Sequence, residues 1–164
     1  MKKKILLIRS VSLQQLDKNL TQIYKQFPDC EFYLLTHTHN IENCSKYKGI
    51  KKVLDYKKKT SFHPFFIDKN LKNEKFDEVI YFVSNIKGYG FLNVSLFAQR
   101  LTKGSVYCCN LNSEITKQAK LKTLISLIKA SIFLPISIIL TIPAIPIGLS
   151  FILFYLIKNL KFKT

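Results

Sequence analysis

Three short stretches carry residue types that could bind or transform a ligand. The first is SNIKGYG, Ser84 to Gly90, set between a strand-like and a helix-like run. Gly88 and Gly90 let backbone approach a ligand closely. The free N–H groups of the helix that follows favour an anion such as a phosphate, and Lys87 adds charge. The plain alternative is a tight turn made by two glycines, since the spacing is neither GxGxxG nor a P-loop. The second stretch is RSVSLQQ, where Ser10 and Ser12 would cap a helix and could also hold a phosphate. It has no glycine, which argues against ordinary dinucleotide binding. The third is His37 and His39, with His63 further on. An HxH pair at a strand's carboxyl end could ligate a metal or accept a proton. No carboxylate or cysteine stands at zinc-site spacing, so hydrogen-bonded loop histidines are the expectation. The anion-binding mouth is thus expected at Ser10, Ser12, Ser84, Asn85, Lys87, Gly88 and Gly90, with no metal and no cofactor.

Two further groups carry chemistry of a plainer kind. Lys46, Lys48, Lys51, Lys52, Lys57, Lys58 and Lys59 form a basic run interleaved with aromatic residues. Such a run is most often a solvated face. It is also suited to an anionic membrane surface, where each lysine contributes roughly 1 kcal/mol. No RNA-recognition motif accompanies it, and no nucleic-acid partner is expected. Cys108 and Cys109 are adjacent in a strand-like run, so they would point to opposite faces as packing residues. With Cys30 and Cys44 they make neither a CxxC pair nor a secretory framework, which fits reduced thiols on a cytoplasmic face.

The elements that must position these residues follow from hydrophobic period. Lys4–Arg9 is a short continuous apolar run, the pattern of a strand buried on both faces. Its four aliphatics are too few for a signal-peptide core, although MKKK precedes them. From Val11 to Phe27 the apolar residues recur at three and four positions, an amphipathic helix stopped by Pro28. Further strands are expected at Glu31–His37, Gly49–Tyr56 (charged, hence at an edge), Phe76–Val83 and Ser105–Leu111. A short helix is expected through Ile67 and Leu71, and a largely buried one over Phe91–Lys103. Strands alternating with helices predict an α/β fold, an open and mainly parallel five-stranded sheet in the order 3-2-1-4-5.

The last third is different in kind. Ala130–Ile157 holds no Asp, Glu, Lys, Arg or His. An uncharged run longer than about 18 residues predicts a membrane-embedded helical segment. As one helix it would be ~42 Å long at 1.5 Å per residue, against a hydrocarbon core of ~30 Å. A break at Ile142–Gly148, IPAIPIG, would instead give a re-entrant hairpin. Lysines at both flanks favour the hairpin over a single kinked span. Residues 112–129 are expected to form an amphipathic interfacial helix, with Ser113, Thr116, Lys117, Lys120 and Thr123 as its polar stripe. Lys117, Lys120, Lys122, Lys129, Lys158 and Lys161 would sit at head-group depth, the last two in a basic tail of residues 158–164. The formal charge is +16; all ten acids and 21 of the 26 Lys and Arg precede Leu121, leaving +11 there and +5 beyond. That balance predicts anionic membrane lipids or a phosphate-bearing substrate as partner.

KILLIR, FPDCEFYLLTH, GIKKVLDY, FDEVIYFVSN and SNIKGYGFLNVSLFAQRL together resemble the N-terminal half of heptosyltransferase-like glycosyltransferases, the ADP-heptose–lipopolysaccharide family with the two-domain GT-B fold. The resemblance covers roughly residues 3–111. It implies a Rossmann-like domain in cell-surface polysaccharide or glycolipid synthesis, at the cytoplasmic side of the cell membrane, with a lipid-linked or nucleotide-sugar substrate. The family's sugar-nucleotide site lies mainly in a C-terminal domain, and here the apolar run stands where that domain would begin. The resemblance therefore implies a half-glycosyltransferase working with a partner glycosyltransferase subunit. The alternative is a non-catalytic membrane-tethered scaffold or accessory subunit. The family's glycine-aspartate pair after the first strand is replaced by Ser10-Val11-Ser12, so no catalytic residue carries over.

Overall fold

Four consecutive aliphatics, Ile5 to Ile8, are all fully buried, and they place the first strand, β1 (Lys3–Ile8), at the centre of a sheet. Period two divides them: Ile5 and Leu7 join one hydrophobic layer, Leu6 and Ile8 the other. Each such side chain contributes roughly 1.5–3 kcal/mol on burial. The computed structural model describes residues 2–119 and, beyond them, 125, 128, 129, 131–133, 139, 146 and 150. The chain divides into two units, 1–123 and 124–164.

In the first unit β1 leads into α1 (Leu13–Gln26). Ser12 caps it by accepting from the Gln15 backbone N–H. Gln15, Leu16, Asn19, Leu20 and Ile23 are its buried stripe, recurring at the three- and four-residue spacing of one helix face. The other elements are β2 (Cys30–His37), a 3-10 turn at Thr38–Asn40, α2 (Ile41–Ser45), β3 (Ile50–Tyr56), α3 (Lys69–Asn73), β4 (Glu78–Phe82), α4 (Leu92–Leu101), β5 (Ser105–Cys109) and β6 (Ile115–Gln118). The sheet order is β3-β2-β1-β4-β5-β6. The first five strands are parallel: Ile8 stands opposite both Leu35 and Tyr81, and Tyr81 opposite Cys108. The chain reverses its direction of winding between β1 and β4, so helices cover both faces. Leu16, Leu20 and Ile23 of α1 lie on the layer with Ile5 and Leu7, while Val94, Phe97, Ala98 and Leu101 of α4 lie on the layer with Leu6 and Ile8. Cys108 and Cys109 fall on opposite layers. All four cysteines are free.

The sheet has six strands where the sequence pattern predicts five. The Asn110 side-chain oxygen accepts from the backbone N–H of Asn112 and of Glu114, both at 3.0 Å. Ser113 adopts a left-handed φ of 66°. This turn folds the chain back, and β6 pairs antiparallel with β5. The helix expected from residue 112 is therefore wrong in its first part. Thr116 and Lys117 are strand neighbours facing opposite ways, not members of one helical stripe. A local side-chain turn decided the matter, and such a turn competes with helix wherever Asn and Ser cluster.

The second unit is described only at single positions. Ile125, Ile128, Lys129, Ser131, Ile132, Phe133, Ile139, Pro146 and Ser150 are helical. The Ser150 hydroxyl donates to the Pro146 carbonyl at 2.8 Å. Ile125, Ile128, Ile132, Phe133 and Ile139 are exposed large apolar side chains. Among the described residues no helix is long and apolar enough to cross a membrane. The choice between hairpin and single span at 130–157, and the basic tail, lie outside the described residues. So do Lys120, Lys122, Lys158 and Lys161, whereas Lys117 is exposed on β6 and Lys129 is helical and exposed.

Candidate functional site

The carboxyl ends of the central strands open into a cavity of about 450 Å³. Four segments build it. Arg9, Ser10 and Val11 come off the end of β1; His37 ends β2 and His39 follows in the 3-10 turn; Lys59, Thr60, Ser61 and Phe62 follow β3; Gly90, Phe91, Asn93 and Val94 open α4. This is the place where a doubly wound sheet leaves a crevice, because the connections from β1 and β4 depart to opposite faces.

Apolar anchors hold each segment. Phe62 is 1% exposed and packs its ring against Tyr56, Phe97 and His37, with centroids 4.6, 5.5 and 4.9 Å away. The Asn93 amide donates to the Phe62 carbonyl at 3.0 Å, tying the loop after β3 to the first turn of α4. His37 Nε2 lies 3.0 Å from the Thr60 carbonyl oxygen. A carbonyl oxygen only accepts, so Nε2 carries the proton, and in the neutral ring Nδ1 is left as the acceptor. Ser10 is spent in part on the fold, since its hydroxyl donates to the Phe82 carbonyl.

The electrostatics have one sign. No Asp or Glu lines the cavity, while Arg9, Lys59, two imidazoles and the hydroxyls of Ser10, Thr60 and Ser61 do. Arg9 is 8% exposed. Its guanidinium donates to the Thr36 hydroxyl at 2.8 Å and to the Val11 carbonyl at 2.7 Å, and it makes no ion pair among the described residues. A buried cation with no carboxylate at ion-pair distance among the described residues adds positive potential to the cavity wall. No side chain caps the N-terminus of α4, so the unbonded N–H groups of its first turn add their partial positive charge there. Gly90, at φ 83°, carries the chain through a left-handed position into that turn.

Of the residues singled out from the sequence, Ser10 and Gly90 line the cavity. Ser12, Ser84, Asn85, Lys87 and Gly88 do not. Ser12 serves as the cap of α1. Asn85 holds its own loop together, accepting from the Gly88 N–H and donating to the Tyr89 carbonyl at 2.8 Å. Ser84 and Lys87 are exposed on that loop. The plain reading of SNIKGYG as a tight turn accounts for its middle. Sequence reasoning missed Arg9, Thr60, Ser61 and Asn93, placed Lys59 only in the basic run, and expected His37 and His39 to be hydrogen-bonded histidines outside the anion site. The signal available was the HxH pair, which ends a strand next to the switch point.

Among the described residues no group of three or more His, Cys, Asp or Glu could hold a metal. Three of the thiols are inert for a different reason. Burial raises the Cys44 and Cys30 thiols, and pushes Cys109 up to about 12, so none of these three is a thiolate at neutral pH. No protein-family model, no curated protein and no solved structure matches this chain.

Proposed function

We propose that the sheet domain binds a phosphate-bearing ligand, of the nucleotide-sugar or lipid-linked sugar class, in the cavity at the carboxyl ends of β1, β2 and β4. The observation that carries this is the lining: two imidazoles, a lysine, a buried arginine outside any described ion pair and an uncapped helix N-terminus, with no carboxylate. A diphosphate is the ligand such a site favours, through charge-assisted hydrogen bonds and the helix end. On this reading the domain is one half of a glycosyltransferase-type assembly in cell-surface polysaccharide or glycolipid synthesis, with donor-binding groups supplied by a partner subunit. The resemblance of residues 3–111 supports that placement. The exposed apolar helical residues between 125 and 139, within and just before the uncharged run, support attachment to a membrane. The resemblance puts that attachment at the cytoplasmic leaflet, and the net charge of +16 favours anionic lipids as partners.

A second reading has its own support. The cavity holds no carboxylate to act as base, which favours a ligand-sensing scaffold or accessory subunit over independent catalysis. His37, oriented by the Thr60 carbonyl, is the proton acceptor a catalytic reading would use.

Calorimetry of the full chain in lipid nanodiscs with UDP-, ADP- and dTDP-sugars tests the binding reading. Heat that Lys59→Gln diminishes is the expected result. Absence of heat with every phosphate ligand, inorganic diphosphate included, would overturn it. Transfer of sugar only after a partner subunit is added would separate the two-subunit enzyme from the scaffold.

A further inference from the structure

We propose that the loop of residues 57–66, beside the cavity, is a second membrane contact: a basic and aromatic surface that docks on anionic phospholipid and turns the cavity mouth toward the bilayer. This rests on the membrane placement proposed above but not on what the cavity holds.

The loop is split by chemistry. Phe62 is driven into the core, and the next turn is thrown outward. Phe65 is 78% exposed and Phe66 51%. The turn is built rather than loose: the His63 N–H donates to the Tyr56 hydroxyl at 3.0 Å, and the Phe66 N–H donates to the His63 carbonyl at 3.1 Å. The His63 ring lies against both phenyl rings, with centroids 5.6 and 5.2 Å away. The Arg100 guanidinium holds the Pro64 carbonyl at 2.6 Å and lies over the Phe65 ring. Two adjacent phenylalanines are thus presented to solvent on a fixed frame.

Cations surround them. Lys58 Nζ sits 3.1 Å from the centre of the Phe66 ring. Lys57 is paired to Asp68 at 3.8 Å, while Lys58 and Lys59 make no ion pair among the described residues. Tyr89, 74% exposed, precedes Gly90 on the other wall of the cavity. Aromatic side chains with lysines at one level are the pattern of the membrane interface, where rings enter the head-group region and ammonium groups meet lipid phosphate. The apolar run at 130–157, flanked by lysines, brings an anionic surface to the same chain. A nucleic acid is the poorer occupant: RRM-type modules stack bases on an open sheet face, and here both faces carry buried layers.

The chain contains no tryptophan, so a single introduced indole is an unambiguous reporter. Phe65→Trp in the full chain, with vesicles of phosphatidylcholine and phosphatidylglycerol carrying brominated acyl chains, should show a blue shift and strong quenching. Phe27→Trp, at the opposite end of the sheet, should show neither. Adding Lys58→Gln and Lys59→Gln to Phe65→Trp should lower the docking equilibrium constant roughly five-fold per lysine. Flotation on the same vesicles reads attachment separately. A Phe65→Trp chain that floats with its indole unquenched overturns the docking surface and leaves the membrane placement standing. A chain that does not float overturns both. A blue shift produced by RNA, or by raised protein concentration without vesicles, would assign the surface to RNA or to a second copy, and overturns the proposal.

Discussion

Two clefts lie along the same sheet and are lined by the same basic residue type, yet they differ in what they can hold. One is the cavity of about 450 Å³ at the carboxyl ends. The other is a groove of about 600 Å³ between β3 and α3, lined by Lys52, Asp55, Lys57, Asp68, Leu71 and Glu74 among others. In the groove each lysine meets an acid: Lys52 Nζ is 3.2 Å from Glu74 and Lys57 Nζ 3.8 Å from Asp68. Asp55 accepts from the Thr38 hydroxyl at 2.8 Å. The groove is internally neutralised, and its pairs are largely solvated. The cavity has the cations without the acids. A cleft becomes an anion site by what its lysines lack, more than by how many it has.

The comparison can be broken or sharpened by substitution. The largest effect is expected at Phe62→Ala. It should cost about 3–5 kcal/mol in urea denaturation and remove ligand binding with the cavity wall. Leu71→Ala, at 3% exposure in the groove, should cost about 2–4 kcal/mol and leave ligand affinity intact. If both variants lose the ligand, the clefts are not functionally distinct. Next is a charge placed in each cleft. Ser61→Asp should weaken a diphosphate ligand about 10–100-fold by calorimetry, since charges in a partly buried site interact by a few kcal/mol. Asn73→Asp, in the groove, should change affinity by less than about two-fold. Lys59→Gln comes third, with affinity lowered about 3–10-fold at low salt and less as salt screens the charge. A loss that ignores ionic strength would mean Lys59 acts by packing. The smallest effect is expected at Lys52→Met, which breaks an exposed pair. Stability should move by about 0–1 kcal/mol, with no change in ligand binding. A larger fall would show that the groove pairs hold β3 to α3.

The same contrast marks how far the sequence could be read. Lys46, Lys48, Lys51, Lys52, Lys57, Lys58 and Lys59 look like one basic face. In the fold four of them are paired: Lys46 with Glu42, Lys51 with Glu31, Lys52 with Glu74 and Lys57 with Asp68. Lys58 covers a phenyl ring and Lys59 lines the cavity. Glu31 is held below the usual carboxylate range, first by its hydrogen bond to Lys51. Glu31 and Glu74 stand 20 and 22 residues from their lysines, so no local count could assign them. Glu42, four residues before Lys46, is the one pair that helical spacing offers directly. The site residues divide in the same way. Ser10 was legible because it follows the first strand directly at the switch point. Lys59, Thr60 and Ser61 were not, because the connection after β3 has no period that fixes where it runs.

By itself the sequence determined the alternation of strands and helices, the order of the first five strands and the separation of an uncharged apolar run from a basic domain. These follow from hydrophobic period and from the handedness of crossovers, which are properties of the local chain. Only the tertiary structure decided that β6 closes the edge beside β5, that Ser12 and Asn85 serve the fold while Ser10 and Gly90 face a cavity, and which lysines keep their charge unbalanced. Those outcomes depend on which distant groups come within a few ångströms of one another. Burial and pairing are set by the packed sheet, not by neighbours in sequence.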